Sequence, residues 1–264
     1  RDPYSKSVVT TPRWRAEMEG LDDWLLAHGG ACSRSVRLGE SRRSGRGLYA
    51  ARPVAGGDVL LVVPHALLLT ATPRSHSAGA LAKTDRLILA LLEEAAGGSA
   101  SRWAPYLRTL PPRRAFEESL PLMWAQRHVL SLCGPVLAER AAAQRADLRR
   151  RHAALCRVAG AASPSWSDFS WAAACVMSRS GDASDEPGDE APALFPVGDL
   201  MNHHATYPNV LGRYEKSASA FTFTALRDVP AGEELTVMYG GLDDATLLLH
   251  YGMVWRAEEE EEEE

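Results

Sequence analysis

The order in which strand-like and helix-like patterns follow one another limits the folds open to this chain. Between residues 36 and 69, glycines and prolines separate short apolar runs such as 59–63, which predicts strands joined by tight turns. Helical periodicity then recurs over 81–96, 117–132, 136–158 and 168–178, the last after Ser167 as its predicted N-cap. Strand-like segments return at 195–197, 221–226 and 235–239, before a short helix at 242–251. The sequence therefore predicts an α+β fold in which a helical block is inserted into a β framework.

Three further segments flank or interrupt this framework. Residues 14–28 repeat apolar side chains at helical spacing and predict an amphipathic helix that ends at Gly29 and Gly30. Residues 181–193 hold five acidic side chains, two prolines and little that is apolar, which indicates a solvated loop. The chain ends in seven consecutive glutamates, so we expect the acidic tail, residues 256–264, to be disordered.

Charge and cysteine content exclude several classes of protein. Without the seven terminal negative charges, the formal net charge of −5 becomes +2, so the body of the chain gives no electrostatic reason to expect a nucleic-acid partner. No apolar run approaches the length of about 18 residues that a membrane span needs, and no membrane partner is expected. The four cysteines lie far apart without Cys-x-x-Cys spacing, which argues against a zinc cluster and a disulfide framework and favours a reducing compartment.

The first motif with chemical meaning is Gly45-Arg46-Gly47-Leu48. Glycines between a strand and a turn let the backbone approach a ligand closely, so that exposed N–H and C=O groups can bind it. An ordinary hairpin turn is the alternative interpretation of such a pattern.

Two further motifs lie in the last third of the chain. Asp199-Leu200-Met201-Asn202-His203 follows a strand-like segment and offers a two-faced amide beside an imidazole, which suits a ligand with ammonium and adenine edges. An asparagine turn and a satisfied core histidine are the alternative interpretations. Residues 232–240 form a strand-like run that contains Tyr239, whose hydroxyl could instead be a satisfied core group. His203, His204 and His250 could also be metal ligands, but no carboxylate or cysteine stands at ligand spacing beside them, and we expect no metal.

Taken together, these three motifs and the helical block between them resemble a SET-domain methyltransferase. The resemblance covers residues 36–255 and predicts a SET fold of several short β-sheets with a helical insertion. Two features narrow it: no cysteine follows Cys175, unlike in many histone-directed SET enzymes, and residues 176–179 and 250–254 are similar to the Rubisco large-subunit lysine methyltransferase group. That group also includes actin-histidine methyltransferases.

The resemblance implies roles for individual residues. The backbone of Arg46, Gly47 and Leu48, together with Arg179, Asn202, His203 and Met253, would bind S-adenosyl-L-methionine, Arg179 facing its carboxylate. Tyr239 would be the catalytic residue, and Ser178, Asp199 and Tyr251 would line the channel for the target side chain. Met253 departs from the pattern, since a phenylalanine that stacks on adenine is usual there, although a methionine can also cover a ring face.

The resemblance also implies a domain layout and a function. Residues 1–35 would be a helical lead-in and 36–255 the SET domain with its insertion at about 80–175, while a C-terminal substrate-binding domain would be absent or truncated. The implied activity is methylation of a lysine in a non-histone protein by a monomer in the cytoplasm or plastid stroma. A histidine acceptor and a catalytically degenerate SET module that only binds protein are the alternatives.

Overall fold

The computed structural model describes residues 12–41, 44–72, 79–184, 188 and 190–254. The first part of the chain forms α1 (Pro12–Ala27), β1 (Ala31–Cys32), β2 (Val36–Ser41), β3 (Gly45–Ala50), β4 (Val59–Pro64) and β5 (Leu69–Thr70). The helical insertion contains α2 (Lys83–Gly97), α3 (Ala104–Leu107), α4 (Arg113–Ser119), α5 (Gln126–Ala159) and α6 (Trp166–Arg179). The last part forms β6 (Ser180–Asp182), β7 (Pro192–Leu194), β8 (Asn202–His203), β9 (Val210–Glu215), β10 (Ala220–Ala225), β11 (Glu234–Val237) and α7 (Asp244–Tyr251). The predicted α+β fold with short sheets and a helical insertion is confirmed.

The strands of the described chain form three small sheets, and one of them joins the three sequence motifs. The sheet orders are β1-β4-β10-β9, β2-β3-β11-β8 and β5-β7-β6. In the second sheet, β11 pairs antiparallel with β3, placing Leu235 opposite Leu48, and parallel with β8, placing Thr236 opposite Asn202. Strands from both ends of the chain therefore bring the first, second and third motifs side by side.

One hydrophobic core ties the insertion to the sheets. Buried side chains of α1 (Leu21), β2 (Leu38), β4 (Leu61), α2 (Leu87) and α6 (Phe169) belong to the same cluster. Each of the five is at most 1% exposed, so each contributes on the order of 1.5–3 kcal/mol of burial free energy. The insertion thus packs as part of the body that carries the sheets.

The helical pattern of the insertion is broken where the sequence predicted continuity, so the prediction of one helix over 117–132 is wrong. Helix α4 ends at Ser119, a 3-10 turn covers Pro121–Met123, and α5 begins at Gln126. Helix α5 is interrupted at Gly134, with φ 80° and ψ 173°, directly before Pro135, which lies in the gap between the predicted helices 117–132 and 136–158. Proline disfavours the helical region for the residue before it and cannot donate a backbone hydrogen bond, which explains the interruption.

The N-cap prediction for α6 is also wrong, by two residues. Ser165 has the extended cap conformation and its hydroxyl accepts a hydrogen bond from the backbone N–H of Asp168 at 3.1 Å. Ser167 already lies inside the helix. Both serines precede the same apolar periodicity, and the cap is the one followed three residues later by an acidic residue, whose Oδ2 accepts a hydrogen bond from the Ser165 hydroxyl.

The strand prediction for 195–197 is wrong as well. The strand in this region is β7, Pro192–Leu194, and Val197 has a positive φ of 69° that turns the chain into the 3-10 segment Gly198–Leu200. The ends of the predicted acidic loop belong to β6 and β7, which pair antiparallel. Strand β9 was not predicted, and β11 ends at Val237 and not at Tyr239.

The predicted acidic tail, 256–264, and the first eleven residues of the predicted lead-in lie outside the described residues. Within the described ranges, no helix combines the length and apolar character required to cross a membrane.

Candidate active site

The side-chain amide of Asn202 is the point at which the three motifs meet. Its Nδ2 donates to the backbone carbonyls of Ser44 at 3.2 Å and Arg46 at 3.1 Å, and to Oε1 of Glu234 at 2.6 Å. Ser44 immediately precedes β3, Arg46 lies in β3 and Glu234 begins β11, so the amide of β8 contacts its neighbour β11 and also reaches β3 on the far side of β11. The carbonyl oxygen Oδ1 of Asn202 accepts nothing from the described residues, and it is not among the buried atoms that lack a partner.

Gly47 lacks a side chain because this hydrogen bond occupies the space. A Cβ at residue 47 would lie 2.5 Å from Oε1 of Glu234 and 2.7 Å from Nδ2 of Asn202, well inside van der Waals contact. The sequence pattern indicated that this glycine lets a ligand approach the backbone closely. The structure shows instead that two side chains from the other motifs approach the backbone of Gly47.

Tyr239 lies in the middle of an aromatic stack beside this cluster. Its ring is 5.1 Å from that of His203 and 4.8 Å from that of Tyr251, with interplanar angles of 28° and 24°. Its hydroxyl donates to the backbone carbonyl of Met201 at 2.7 Å, one residue before Asn202. Burial raises the pKa of the Tyr239 phenol, so the group stays protonated near neutral pH.

His203 is held as a neutral imidazole. The backbone N–H of Tyr239 donates to its Nδ1 at 3.0 Å, which assigns the ring proton to Nε2. Burial lowers the pKa of His203, while the Val237 carbonyl acts in the opposite direction. The parallel pairing of β8 with β11 sets this geometry, because it places His203 opposite Val237, two residues before Tyr239.

A buried polar network lies next to the tyrosine and links the site to the insertion. Nη1 of Arg179 donates to the backbone carbonyl of Asp199 at 2.7 Å and lies 3.7 Å from its carboxylate. The hydroxyl of Tyr106, from α3, donates to Oδ2 of Asp199 at 2.6 Å. Burial raises the pKa of Asp199, although Arg179 and Tyr106 oppose the shift. Nε of Arg179 and Oδ1 of Asp199 are buried without a partner in the described protein.

The other predicted site residues have more local contacts. The Arg46 guanidinium donates to the carbonyl of Thr109 in the insertion at 2.6 Å, and the Leu48 side chain is fully buried in the core. The Ser178 hydroxyl donates back into its own helix, to the carbonyl of Ala174 at 2.7 Å. Met253 is half-buried just after the end of α7. The structure thus brings Arg179, Asn202, His203, Asp199, Tyr239 and Tyr251 into one region, joined through the contacts above.

Sequence reasoning missed three residues of this region. Ser44 and Glu234 surround the Asn202 amide, and Tyr106 holds Asp199 from the insertion. A signal existed for Glu234, because adjacent strand residues face opposite sides and only one glutamate of the Glu233-Glu234 pair can face Asn202. Nothing in the sequence marked Tyr106, which stands 93 residues from Asp199. Among the described residues, no three His, Cys, Asp or Glu side chains are grouped so as to hold a metal ion.

Comparison with known proteins places this sheet arrangement and its motifs in a class. The family model of the SET domain matches residues 45–240. The chain therefore belongs to the SET-domain family, whose match begins at the glycine motif and ends directly after Tyr239.

Relatives within this class include actin-histidine N-methyltransferases. The protein from Gallus gallus is 28% identical over 273 residues, which cover 96% of this chain and 42% of the relative. The protein from Homo sapiens is 28% identical over 244 residues, covering 84% and 40%. This chain therefore spans about two fifths of the length of these curated relatives.

Solved structures share the fold. The crystal structure of the SET domain of LSMT bound to lysine and AdoHcy superimposes with a TM-score of 0.78 at 21% identity, covering 92% of this chain and 58% of that one. The structure of Rubisco LSMT bound to AdoMet gives a TM-score of 0.73 at 20% identity, covering 93% and 57%. The predicted resemblance to this group is confirmed at the level of family and fold.

Proposed function

We propose that this chain is an S-adenosylmethionine-dependent protein methyltransferase that modifies a lysine side chain of a non-histone protein. The observation that carries the proposal is the convergence at Tyr239, whose hydroxyl donates to the Met201 carbonyl directly beside Asn202. Its ring stacks between His203 and Tyr251. Residues distant in sequence thus form a single polar and aromatic site.

The polar groups of the site fit the amino-acid end of the methyl donor. All the hydrogen bonds of the Asn202 amide to described residues use Nδ2, which leaves its acceptor Oδ1 for an ammonium group. The Arg179 guanidinium presents a buried Nε–H donor that lacks a partner in the described protein, which suits a carboxylate. When bound, S-adenosylmethionine supplies an electrophilic methyl group on its sulfonium, and the task of the chain is to align it with the acceptor nitrogen.

The aromatic stack fits a lysine acceptor. With an unperturbed pKa of about 10.4, a neutral lysine costs about 4 kcal/mol near pH 7.5. The rings of Tyr239 and Tyr251 offer little hydration to an ammonium, and a site that desolvates the group lowers this cost by lowering its pKa. Tyr239 is not a general base, because burial raises its pKa. Its O–H is committed to the Met201 carbonyl, so the oxygen lone pairs are left to orient the amine.

A histidine acceptor is the second candidate, favoured by the actin-histidine N-methyltransferases among the relatives. An imidazole has an unperturbed pKa of about 6.5 and is largely neutral at pH 7.5, so it needs less help from desolvation. A degenerate SET module that binds protein without catalysis is the third, and Met253 in place of an aromatic residue is the feature in its favour.

Two measurements test the proposal. Isothermal titration with S-adenosylhomocysteine should show one site per chain, and absence of binding at high micromolar ligand would favour the degenerate module. Radiolabelled methyl transfer to a cell lysate, followed by mass spectrometry of the labelled protein, should locate the methyl group on a lysine. A label on histidine would replace the leading acceptor by the second candidate.

A further inference from the structure

Ser44 and Glu234 form a hydrogen-bonded pair behind the Asn202 amide. The Ser44 hydroxyl donates to Oε2 of Glu234 at 2.6 Å, and Oε1 of the same carboxylate accepts from Nδ2 of Asn202 at 2.6 Å. The carboxylate therefore uses one oxygen for each partner. The function proposed above assigns no role to Ser44 or Glu234.

The three oxygens around Nδ2 determine which way the Asn202 amide faces. Two are backbone carbonyls and the third belongs to a carboxylate, and none of these groups can donate a hydrogen bond when Glu234 is ionised. A flipped amide would turn Oδ1 toward three acceptor oxygens, which is repulsive. The NH2 end must therefore face the cluster, which leaves Oδ1 as the side-chain atom that Asn202 can offer to a ligand.

We propose that Glu234, held by Ser44, is a positioning residue that fixes Asn202 with Oδ1 available to the ammonium group of the methyl donor. This inference rests on the proposed function, since it assumes that the donor binds here. The 2.6 Å bond to Glu234 is the shortest of the three and involves a charged acceptor, which makes it the strongest. The two backbone carbonyls, at 3.2 and 3.1 Å, restrain the amide more weakly.

The adjacent glutamate provides a matched control. Oε1 of Glu233 accepts from Asn209 at 2.9 Å and from Arg227 at 2.6 Å, so this side chain secures the chain around β9 and β10 without contacting Asn202. Glu233→Ala removes an identical carboxylate one residue away. It should lower thermal stability and leave ligand affinity unchanged.

The test compares two ligands that differ at the amino-acid end. S-adenosylhomocysteine carries the ammonium and carboxylate groups, whereas 5′-methylthioadenosine lacks both. Glu234→Ala should weaken binding of S-adenosylhomocysteine about tenfold, equivalent to about 1.4 kcal/mol, and change binding of 5′-methylthioadenosine by less than about twofold. Glu234→Gln retains an acceptor for Nδ2 and should bind S-adenosylhomocysteine within about threefold of wild type.

Ser44→Ala is the second variant, and it applies also if Glu234→Ala fails to fold. This variant removes the hydroxyl that donates to the Glu234 carboxylate. It should weaken binding of S-adenosylhomocysteine less than Glu234→Ala does, and it should again leave binding of 5′-methylthioadenosine nearly unchanged. Equal loss of both ligands, or unchanged affinity for S-adenosylhomocysteine in both Glu234→Ala and Ser44→Ala, would overturn the inference. Wild-type protein that binds neither ligand would instead contradict the proposed function, and the inference with it.

Discussion

At the scale of single residues, the site is built from groups whose freedom is removed by their neighbours. Asn202 has its NH2 end enclosed by three oxygens, and Tyr239 has its hydroxyl committed to a backbone carbonyl. Gly47 has no side chain because the space is filled. Such restraint keeps a site in one geometry before any ligand arrives, which lowers the cost of ordering it on binding.

Gly47→Ala should separate the Asn202 amide from the Glu234 carboxylate, because its Cβ would lie 2.5 Å from Oε1. We expect a loss of about 1–3 kcal/mol in unfolding free energy from overpacking, with weaker binding of S-adenosylhomocysteine. Chemical denaturation and titration calorimetry measure the two effects. Gly20→Ala is the control: the position is exposed on α1 with nothing within 4 Å, and the variant should gain about 0.5–1 kcal/mol. Wild-type behaviour of Gly47→Ala would contradict the packing described here.

Tyr239→Phe removes the hydroxyl and keeps the ring in its stack. We expect turnover to fall by about tenfold or more, since the group proposed to orient the acceptor amine is lost, which corresponds to about 1.4 kcal/mol or more of barrier. Binding of S-adenosylhomocysteine should persist. Tyr214→Phe, on β9 with its ring against His65, is the control and should keep full turnover. Full activity in Tyr239→Phe would remove the residue from the mechanism.

At the scale of elements, the beginning of α6 matters because its last residue is Arg179. The Ser165 hydroxyl accepts a hydrogen bond from the backbone N–H of Asp168 and donates one to its carboxylate, which also pairs with Arg113 of α4 at 2.7 Å. The hydrogen bond from Ser165, opposed by slight desolvation and helped by Arg113, lowers the pKa of Asp168. This start of the helix sets the register that delivers Arg179 beside Asp199.

Ser165→Ala should cost about 1 kcal/mol of unfolding free energy, because the N–H of Asp168 loses its cap. Ser167→Ala, inside the same first turn, should change stability by less than about 0.5 kcal/mol. Thermal or denaturant unfolding distinguishes the pair. The reverse ranking would show that the sequence-based prediction of the cap was correct.

The sequence predicted those elements whose signal is local and long enough to repeat. Periodicity revealed α2, α6 and α7, and dense apolar runs revealed β4 and β10. Strand β8 has two residues, too few for any alternation. The strand predicted at 195–197 lies instead at β7, because Phe195 to Val197 are as apolar as a strand but the chain turns at Val197. Periodicity cannot show such a turn in advance.

The motifs predicted which residues lie in the site but not the contacts between them. Asn202, His203 and Tyr239 were identified because residue types and order carry that information. The hydrogen bond between Glu234 and Ser44 could not be predicted, since Ser44 stands 190 residues away and the contact depends on the pairing of β3 with β11. The hydrogen bonds that could not be predicted from the sequence therefore join elements that only the sheet brings together.

At the scale of the whole molecule, the insertion and the sheets share both a core and a polar link. Tyr106 of α3 is fully buried, and burial together with the Asp199 carboxylate raises its pKa well above the usual value. Its hydroxyl therefore stays protonated near neutral pH and donates to Asp199. The site depends in this way on a residue contributed by the helical block.

Tyr106→Phe should lower the unfolding free energy by about 1–3 kcal/mol, because the buried Asp199 carboxylate loses a donor. Burial holds the pKa of Asp199 above its usual value, so the folded state takes up this proton at a higher pH than the unfolded chain does. The deficit should therefore shrink as the pH falls, because a protonated Asp199 needs the donor less. Denaturation at pH 8 and pH 5 measures the difference. Tyr207→Phe, at a side chain that is 73% exposed, should be neutral at both.

The parallel pairing of β8 with β11 and the contact between Ser44 and Glu234 also have a consequence for biosynthesis. A ribosome releases the glycine motif long before residues 234–239, and native hydrogen bonds between the two cannot form in the interval. During translation, the edge of β3 that later pairs with β11 therefore remains unpaired, and unpaired strand edges are prone to pair with other chains. The sheet that joins the three motifs is therefore completed late, when β11 inserts between β3 and β8.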